Sequence, residues 1–186
     1  MWRARAGTPE ATQIPMEDSA CTPRRTIWIV LPAYNEASNI GAVLLALDAA
    51  RLRTSMLFHA VVINGGSSDG TGDVVRAFRG GMAVTAIDHP VNLGLGTAIR
   101  TGLLYAVDVS APSDVVITMD ADDTHTPQAI AAMVAVIDTG LDVAIASRYH
   151  PGSVVTGVPT HRRFLSDAAS WLFRLVFPIP RVRDFT

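Results

Sequence analysis

Lysine is absent from this chain: all fifteen basic residues are arginine, against seventeen acids, for a net charge of -2. Without a lysine amine the chain cannot form a Schiff base, hold pyridoxal phosphate covalently or supply the lysine of a phosphate-binding P-loop, so those enzyme classes are excluded. A single cysteine, Cys21, excludes an internal disulfide and a cysteine-built zinc or iron–sulfur centre within one copy, and points to a reducing compartment. No stretch reaches the roughly 18 to 20 consecutive apolar residues of a membrane-spanning helix. The best run, residues 27–33, is short and holds Pro32. The first 25 residues carry Arg3, Arg5, Arg24 and Arg25 without an apolar segment, so they read as a disordered leader rather than a secretory signal.

What is present is a chain of one-domain length, 49% apolar, with no internal repeat. Short β-branched runs at 27–31, 58–63, 82–87, 115–119 and 143–146 are continuous rather than alternating in apolar character, which predicts strands buried on both faces of a sheet. Between the first two, Ile40, Val43, Leu44 and Leu47 fall on one helical face. The spacing recurs at Ile130, Met133, Val134 and Ile137, with Thr126 as expected N-cap and Pro127 as first helical residue. Residues 151–159 predict a mobile loop and residues 160–177 a further amphipathic helix. The result is an α/β domain with a mainly parallel sheet, whose ligands belong beyond the carboxyl ends of its strands.

Four of the five segments that follow the runs are unusually polar or glycine-rich. After the fourth stand Asp120, Ala121 and Asp122, two carboxylates separated by one residue. Like charges so placed repel unless neutralised, and a hard divalent cation completed by water and phosphate oxygens does this well. The same acids also suit a solvated turn in which Asp122 and Asp123 complement a helix N-terminus. Glu36, likewise, suits either a ligand contact or a helix start.

Leu31-Pro32-Ala33-Tyr34-Asn35-Glu36, the turn Gly66-Ser67-Ser68-Asp69-Gly70-Thr71, the loop Asn92-Leu93-Gly94-Leu95-Gly96-Thr97-Ala98, the Asp120-Ala121-Asp122 triplet and Ser147-Arg148-Tyr149 stand in the order and spacing of family 2 glycosyltransferases. Over about residues 26–186 the chain resembles the dolichol-phosphate mannose synthase and polyprenyl-phosphate glycosyltransferase branch. The resemblance implies a GT-A fold, a Rossmann-like and mainly parallel sheet flanked by helices, in one catalytic domain that ends early relative to the family. It implies metal-assisted transfer, with inversion, of a sugar from GDP-mannose or a UDP-sugar to a polyprenyl or dolichyl phosphate. Pro32, Tyr34, Glu36, Ile63 and Gly65 would lie on the nucleoside side, with Ile63 flanking the base. Asp120, Ala121 and Asp122 would meet the donor diphosphate, with Mg²⁺ or Mn²⁺ on Asp120, Asp122 and Thr124. Arg148 would join Asp122 in catalysis by meeting phosphate, and Arg162 and Ser166 would clamp the acceptor phosphate. The implied partners are the nucleotide sugar and a lipid phosphate at the cytoplasmic membrane face, with a membrane-anchoring partner or self-association and no nucleic acid.

Departures from the pattern open other readings. The family usually carries two adjacent aspartates where this chain has Asn64 and Gly65; a glycine offers no carboxylate, whereas Asn64 can donate and accept, which shifts base recognition rather than abolishing it. An impaired nucleotide-binding module and a transferase acting on a hydroxyl acceptor, with Asp123 as first candidate base, are the competing readings. A dinucleotide fingerprint is excluded at Gly94-Leu95-Gly96, because Ile99 stands where its last glycine is required. Arg148 and Arg162 also fit ordinary surface positions. The charges are unevenly placed: residues 1–147 hold nine arginines against fifteen acids, and residues 148–186 hold six against two.

Overall fold

The computed structural model describes residues 25–122 and 127–146. Four strands, β1 (Thr26–Ala33), β2 (Leu57–Asn64), β3 (Ala83–Asp88) and β4 (Val115–Thr118), alternate with helices α1 (Ile40–Arg51), α2 (Thr71–Ala77), α3 (Leu95–Val109) and α4 (Ala129–Ile137). All pairings are parallel and the strand order is β3-β2-β1-β4. The two central strands, β2 and β1, are buried along most of their length because both of their faces are covered, whereas β3 and β4 at the edges are mostly half-buried. Ile27, Ile29 and Leu31 of β1 pack with Ile40, Val43, Leu44 and Leu47 of α1 and with Ile130 and Val134 of α4. Trp28 and Val30 point the other way, into a second cluster with Val61, Ile63, Ala98 and Ala106 under α3. The chain thus winds outward over one face through α1 and α2, then returns over the other through α3. The reversal falls between β1 and β4.

The helix α3 buries only Ala98, Gly102 and Ala106. A Cβ on Gly102 would stand 2.3 Å from Val30 Cγ1, so the helix backbone lies almost directly on the sheet.

Two expectations need correction. The run 143–146 is not a strand: it has no ladder, and Val143 and Ile145 are 72% and 63% exposed. An apolar run supplies side chains to bury but no hydrogen-bonded neighbour, and only the latter makes a strand. The helix expected to start at Pro127 starts at Ala129, with Gln128 as N-cap, because the Pro127 carbonyl first closes a turn with the Ile130 N–H at 3.1 Å. Its proposed cap, Thr126, lies outside the described residues, as do residues 1–24 of the leader and the segments 151–159 and 160–177; Arg25, the last leader residue, is described and pairs with Asp138.

Candidate active site

Because every strand runs the same way, the loops that follow them gather at one end of the sheet. Register then singles out one gap. Val30 is level with Thr118, and the Met119 N–H still donates to the Val30 carbonyl at 3.1 Å. Two residues further, Pro32 faces the same neighbour without an N–H, and the ladder stops. Pro32, Thr118, Met119 and Asp120, with Ile99 from α3, line a shallow cleft of about 210 Å³. This is the point where the winding of the sheet reverses, the place at which open α/β sheets receive their ligands.

Asp120 lines this cleft and is exposed, as is Asp122 two residues on, while Ala121 between them is 3% exposed and packs into the α1 and α4 side of the core. The buried alanine pins a loop between two exposed aspartates. Hard oxygen donors in this number suit Mg²⁺ or Mn²⁺, which complete their shells with water and diphosphate oxygens. Among the described residues no group of three or more His, Cys, Asp or Glu side chains is arranged to hold a metal. An ion here would therefore rest on Asp120 and Asp122 together with oxygens from outside that set.

Beside the cleft, the loop after β1 is clasped to the turn before α2. Asn35 adopts a left-handed conformation, φ 56°, which asparagine tolerates better than most residues. Its N–H donates to Ser67 Oγ and its Oδ1 accepts from the Ser68 N–H, both at 3.0 Å. The Glu36 N–H donates to Thr71 Oγ1 at 2.9 Å, and the hydroxyl of the fully buried Thr71 donates in turn to Asp69 Oδ1 at 2.5 Å. Asp69 Oδ2 accepts from the Ala37 N–H at 2.9 Å. The Thr71 hydroxyl, followed by the Ala37 amide, holds the Asp69 carboxyl below its usual range. Tyr34 is left half exposed above this clasp. The turn itself must pass close to the loop after β3: a Cβ on Gly66, at φ +75°, would stand 2.6 Å from the Val91 carbonyl carbon.

Comparison with known proteins then fixes the relationship. The model of glycosyl transferase family 2 matches residues 28–185. The chain belongs to that family. It is 30% identical over 158 residues to the dolichol-phosphate mannosyltransferase of Pyrococcus furiosus, covering 85% of this chain and 42% of that protein. It is 30% identical over 173 residues to the polyprenol monophosphomannose synthase of Mycolicibacterium smegmatis, covering 91% and 63%. The chain thus spans roughly half the length of these two relatives. The GT-A fold is shared with mannosyl-3-phosphoglycerate synthase from Rubrobacter xylanophilus, at TM-score 0.55 and 24% identity over 83% of this chain and 48% of that one. It is shared also with glucosyl-3-phosphoglycerate synthase from Mycobacterium tuberculosis, in complex with Mn²⁺, UDP-glucose and phosphoglyceric acid, at TM-score 0.56 and 24% identity over 83% and 51%.

In this family 2 chain, Pro32 lies at the carboxyl end of β1, and Tyr34, Glu36, Asp120 and Asp122 lie on the loops that follow β1 and β4. Ile63 is fully buried on the α3 side, because strand alternation places it in a row with Val61. Asn64 is tied to the protein at both ends of its amide: its Nδ2 donates to Asp88 Oδ1 at 2.7 Å and its Oδ1 accepts from the Ser67 N–H at 3.2 Å. Gly65 is buried as well, its N–H donating to the Ala33 carbonyl at 2.8 Å. Glu36 does act at a helix start, accepting from Asn39 Nδ2 at 2.8 Å while its carbonyl receives the Asn39 and Ile40 amides. Asp123, Thr124, Arg148, Arg162 and Ser166 lie outside the described residues. Sequence reading missed the structural part of Asp69, Thr71 and Asp88. The first two were signalled by side chains that favour turns, and the last carried no local signal.

Proposed function

We propose that the protein transfers a sugar from a nucleotide diphosphate sugar to a polyprenyl phosphate, with a divalent cation held by Asp120 and Asp122. The observation that carries this reading is the cleft opened at Pro32, where the ladder between β1 and β4 ends and Asp120 reaches the rim. The polyprenyl acceptor is supported by the names of similar proteins, to which an undecaprenyl-phosphate 4-deoxy-4-formamido-L-arabinose transferase of Serratia proteamaculans, 31% identical over 127 residues, adds a third. When bound, the cation supplies positive charge against the departing diphosphate.

The chain's own contribution is placement. The clasped loop carrying Tyr34 and Glu36 would bound the nucleoside, the gap at Pro32 would admit the diphosphate, and the buried Ala121 would hold the carboxylates at the opening. Arg148, Arg162 and Ser166 are proposed for the acceptor phosphate, since guanidinium forks and a hydroxyl match phosphate oxygens. A phosphate acceptor is already anionic and needs no base, whereas a hydroxyl acceptor would need one.

The test is transfer of labelled sugar from UDP-glucose and GDP-mannose to polyprenyl phosphate in Mn²⁺ or Mg²⁺, beside the Asp122→Asn variant. Transfer lost in that variant supports the reading, and transfer that survives it removes the metal assignment. Transfer only to a hydroxyl compound removes the lipid acceptor. Gly65 and the committed amide of Asn64 favour a second reading, nucleotide binding without turnover, which metal-dependent UDP or GDP binding in the absence of any transfer would establish.

A further inference from the structure

We infer that Asp88, the last residue of β3, is a positioning residue for the nucleotide-side loops; the inference rests on the proposed function for its effect on binding but on geometry alone for its effect on the loops. Asp88 lies two strands away from the cleft and belongs to none of the motifs that mark the family in this chain. Its carboxylate is nonetheless the first link of a continuous chain of hydrogen bonds that ends at Asn35, the residue after Tyr34. Oδ1 accepts from Asn64 Nδ2 at 2.7 Å, which fixes the side-chain amide of a residue only 8% exposed. With its Nδ2 so held, Asn64 turns Oδ1 to the Ser67 N–H at 3.2 Å. Ser67 Oγ then takes the Asn35 N–H at 3.0 Å, and Asn35 is held in its left-handed conformation directly after Tyr34. A second tie reinforces the first: the Asn64 carbonyl accepts both the Gly66 and the His89 amides at 2.9 Å, so the end of β3 and the turn share one anchor.

The other carboxylate oxygen of Asp88 accepts from Arg76 Nη1 at 2.8 Å, and Arg76 also pairs with Asp73 at 2.9 Å. This ion pair is about half exposed on both sides and contributes little by itself. The two oxygens therefore have separable work, one orienting Asn64 and one meeting solvent-exposed charge. A neutral amide at position 88 keeps an oxygen for Asn64 Nδ2 and gives up the ion pair. An alanine gives up both and leaves a buried amide donor unpartnered.

The experiment uses the full chain with Asp88→Ala, Asp88→Asn and Arg76→Ala, and reads amide hydrogen exchange across residues 34–37 and 64–71 together with UDP and GDP titrations in Mn²⁺. In Asp88→Ala the Asn35 and Ser67 amides should exchange about tenfold faster and nucleotide should bind about tenfold more weakly, the size expected for one buried hydrogen bond lost. Asp88→Asn should restore both, and Arg76→Ala should change neither by more than about twofold. If the alanine variant does not fold, Asp88→Ser, which is too short to hold Asn64, takes its place. Equal behaviour of Asp88→Asn and Asp88→Ala, or unchanged exchange at Ser67, would overturn the inference. Exchange that responds as expected in a chain whose wild type binds neither nucleotide would leave the positioning intact and remove the proposed function instead.

Discussion

Three single positions make the candidate site possible, each through what its side chain lacks or carries. Pro32 withholds an N–H and so ends a ladder; Gly66 withholds a Cβ and so lets two loops meet; Asp122 carries one of the two exposed carboxylates that flank Ala121. Asp122→Asn should lower transfer by about a hundredfold or more, as loss of a preorganised charge does, while circular dichroism stays that of the parent. Gly66→Ala should destabilise the chain by more than about 2 kcal/mol in denaturant titration, because the left-handed strain adds to a backbone contact at 2.6 Å that has no side chain to yield. The motifs around Pro32, Tyr34, Glu36 and Asp120 were legible from residue types alone, since a proline, a loop aromatic and spaced carboxylates are local signals. Ile63 and Asn64 were not. Whether a residue at the end of a strand faces a ligand or the core depends on which helix covers that face, and Asn64 is defined by Asp88, a residue 24 positions away.

At the scale of elements, legibility followed the size of what is buried. The helix α1 is readable because it buries Ile40, Val43, Leu44 and Leu47, and its predicted face is the observed one. The helix α3 escapes the same rule. Its buried line is Ala98, Gly102 and Ala106, whereas Leu103, Leu104 and Val107 are exposed, so large apolar residues mark the outer side. Close approach rather than bulk holds this helix to the sheet. Gly102→Ala should therefore cost about 2 kcal/mol on thermal unfolding, against the usual gain of alanine over glycine in a helix. The strands β1 and β2 were found within a residue or two at each end, and the run 143–146 was not a strand because pairing is a property of two segments. The turn at Asp114 shows a tie of another kind. Asp114 accepts the Thr26 amide at 2.9 Å, the Trp28 indole N–H at 3.0 Å and the Ala111 amide at 2.9 Å, joining the entry to β4 with the start of β1. Burial pushes its pKa up, and these bonds outweigh that push and leave it below 3.8. Asp114→Ala should lower stability by about 1 to 2 kcal/mol.

For the whole molecule, charge and acid response are the measurable quantities. The six arginines among residues 148–186 face only two acids, so binding of the full chain to vesicles containing polyprenyl phosphate should weaken steeply as salt is raised. Binding indifferent to salt would count against an electrostatic contribution from that end. Acid should act in two stages. His59 is partly buried against Trp28, with ring centroids 4.4 Å apart, and that burial holds its pKa below 6.5. A base whose folded pKa is depressed contributes fully above its unfolded value, so stability should begin to fall as pH drops below about 6.5. Asp48, Asp69 and Asp114 are held below 3.8, and their contribution, present above that value, should be lost in a second fall at lower pH. In His59→Phe the first stage should disappear from a pH series of thermal midpoints and the second remain.

The stack of Trp28 on His59 has a further consequence, an optical one. An imidazolium quenches an adjacent indole more strongly than a neutral imidazole does, and Trp28 lies at the centre of the sheet, with its ring at 74° to that of Tyr105 and the centroids 6.5 Å apart. The protein thus carries a built-in emitter at the middle of its scaffold. The share of tryptophan emission that comes from Trp28 should fall as His59 takes up a proton, without any label attached to the loops.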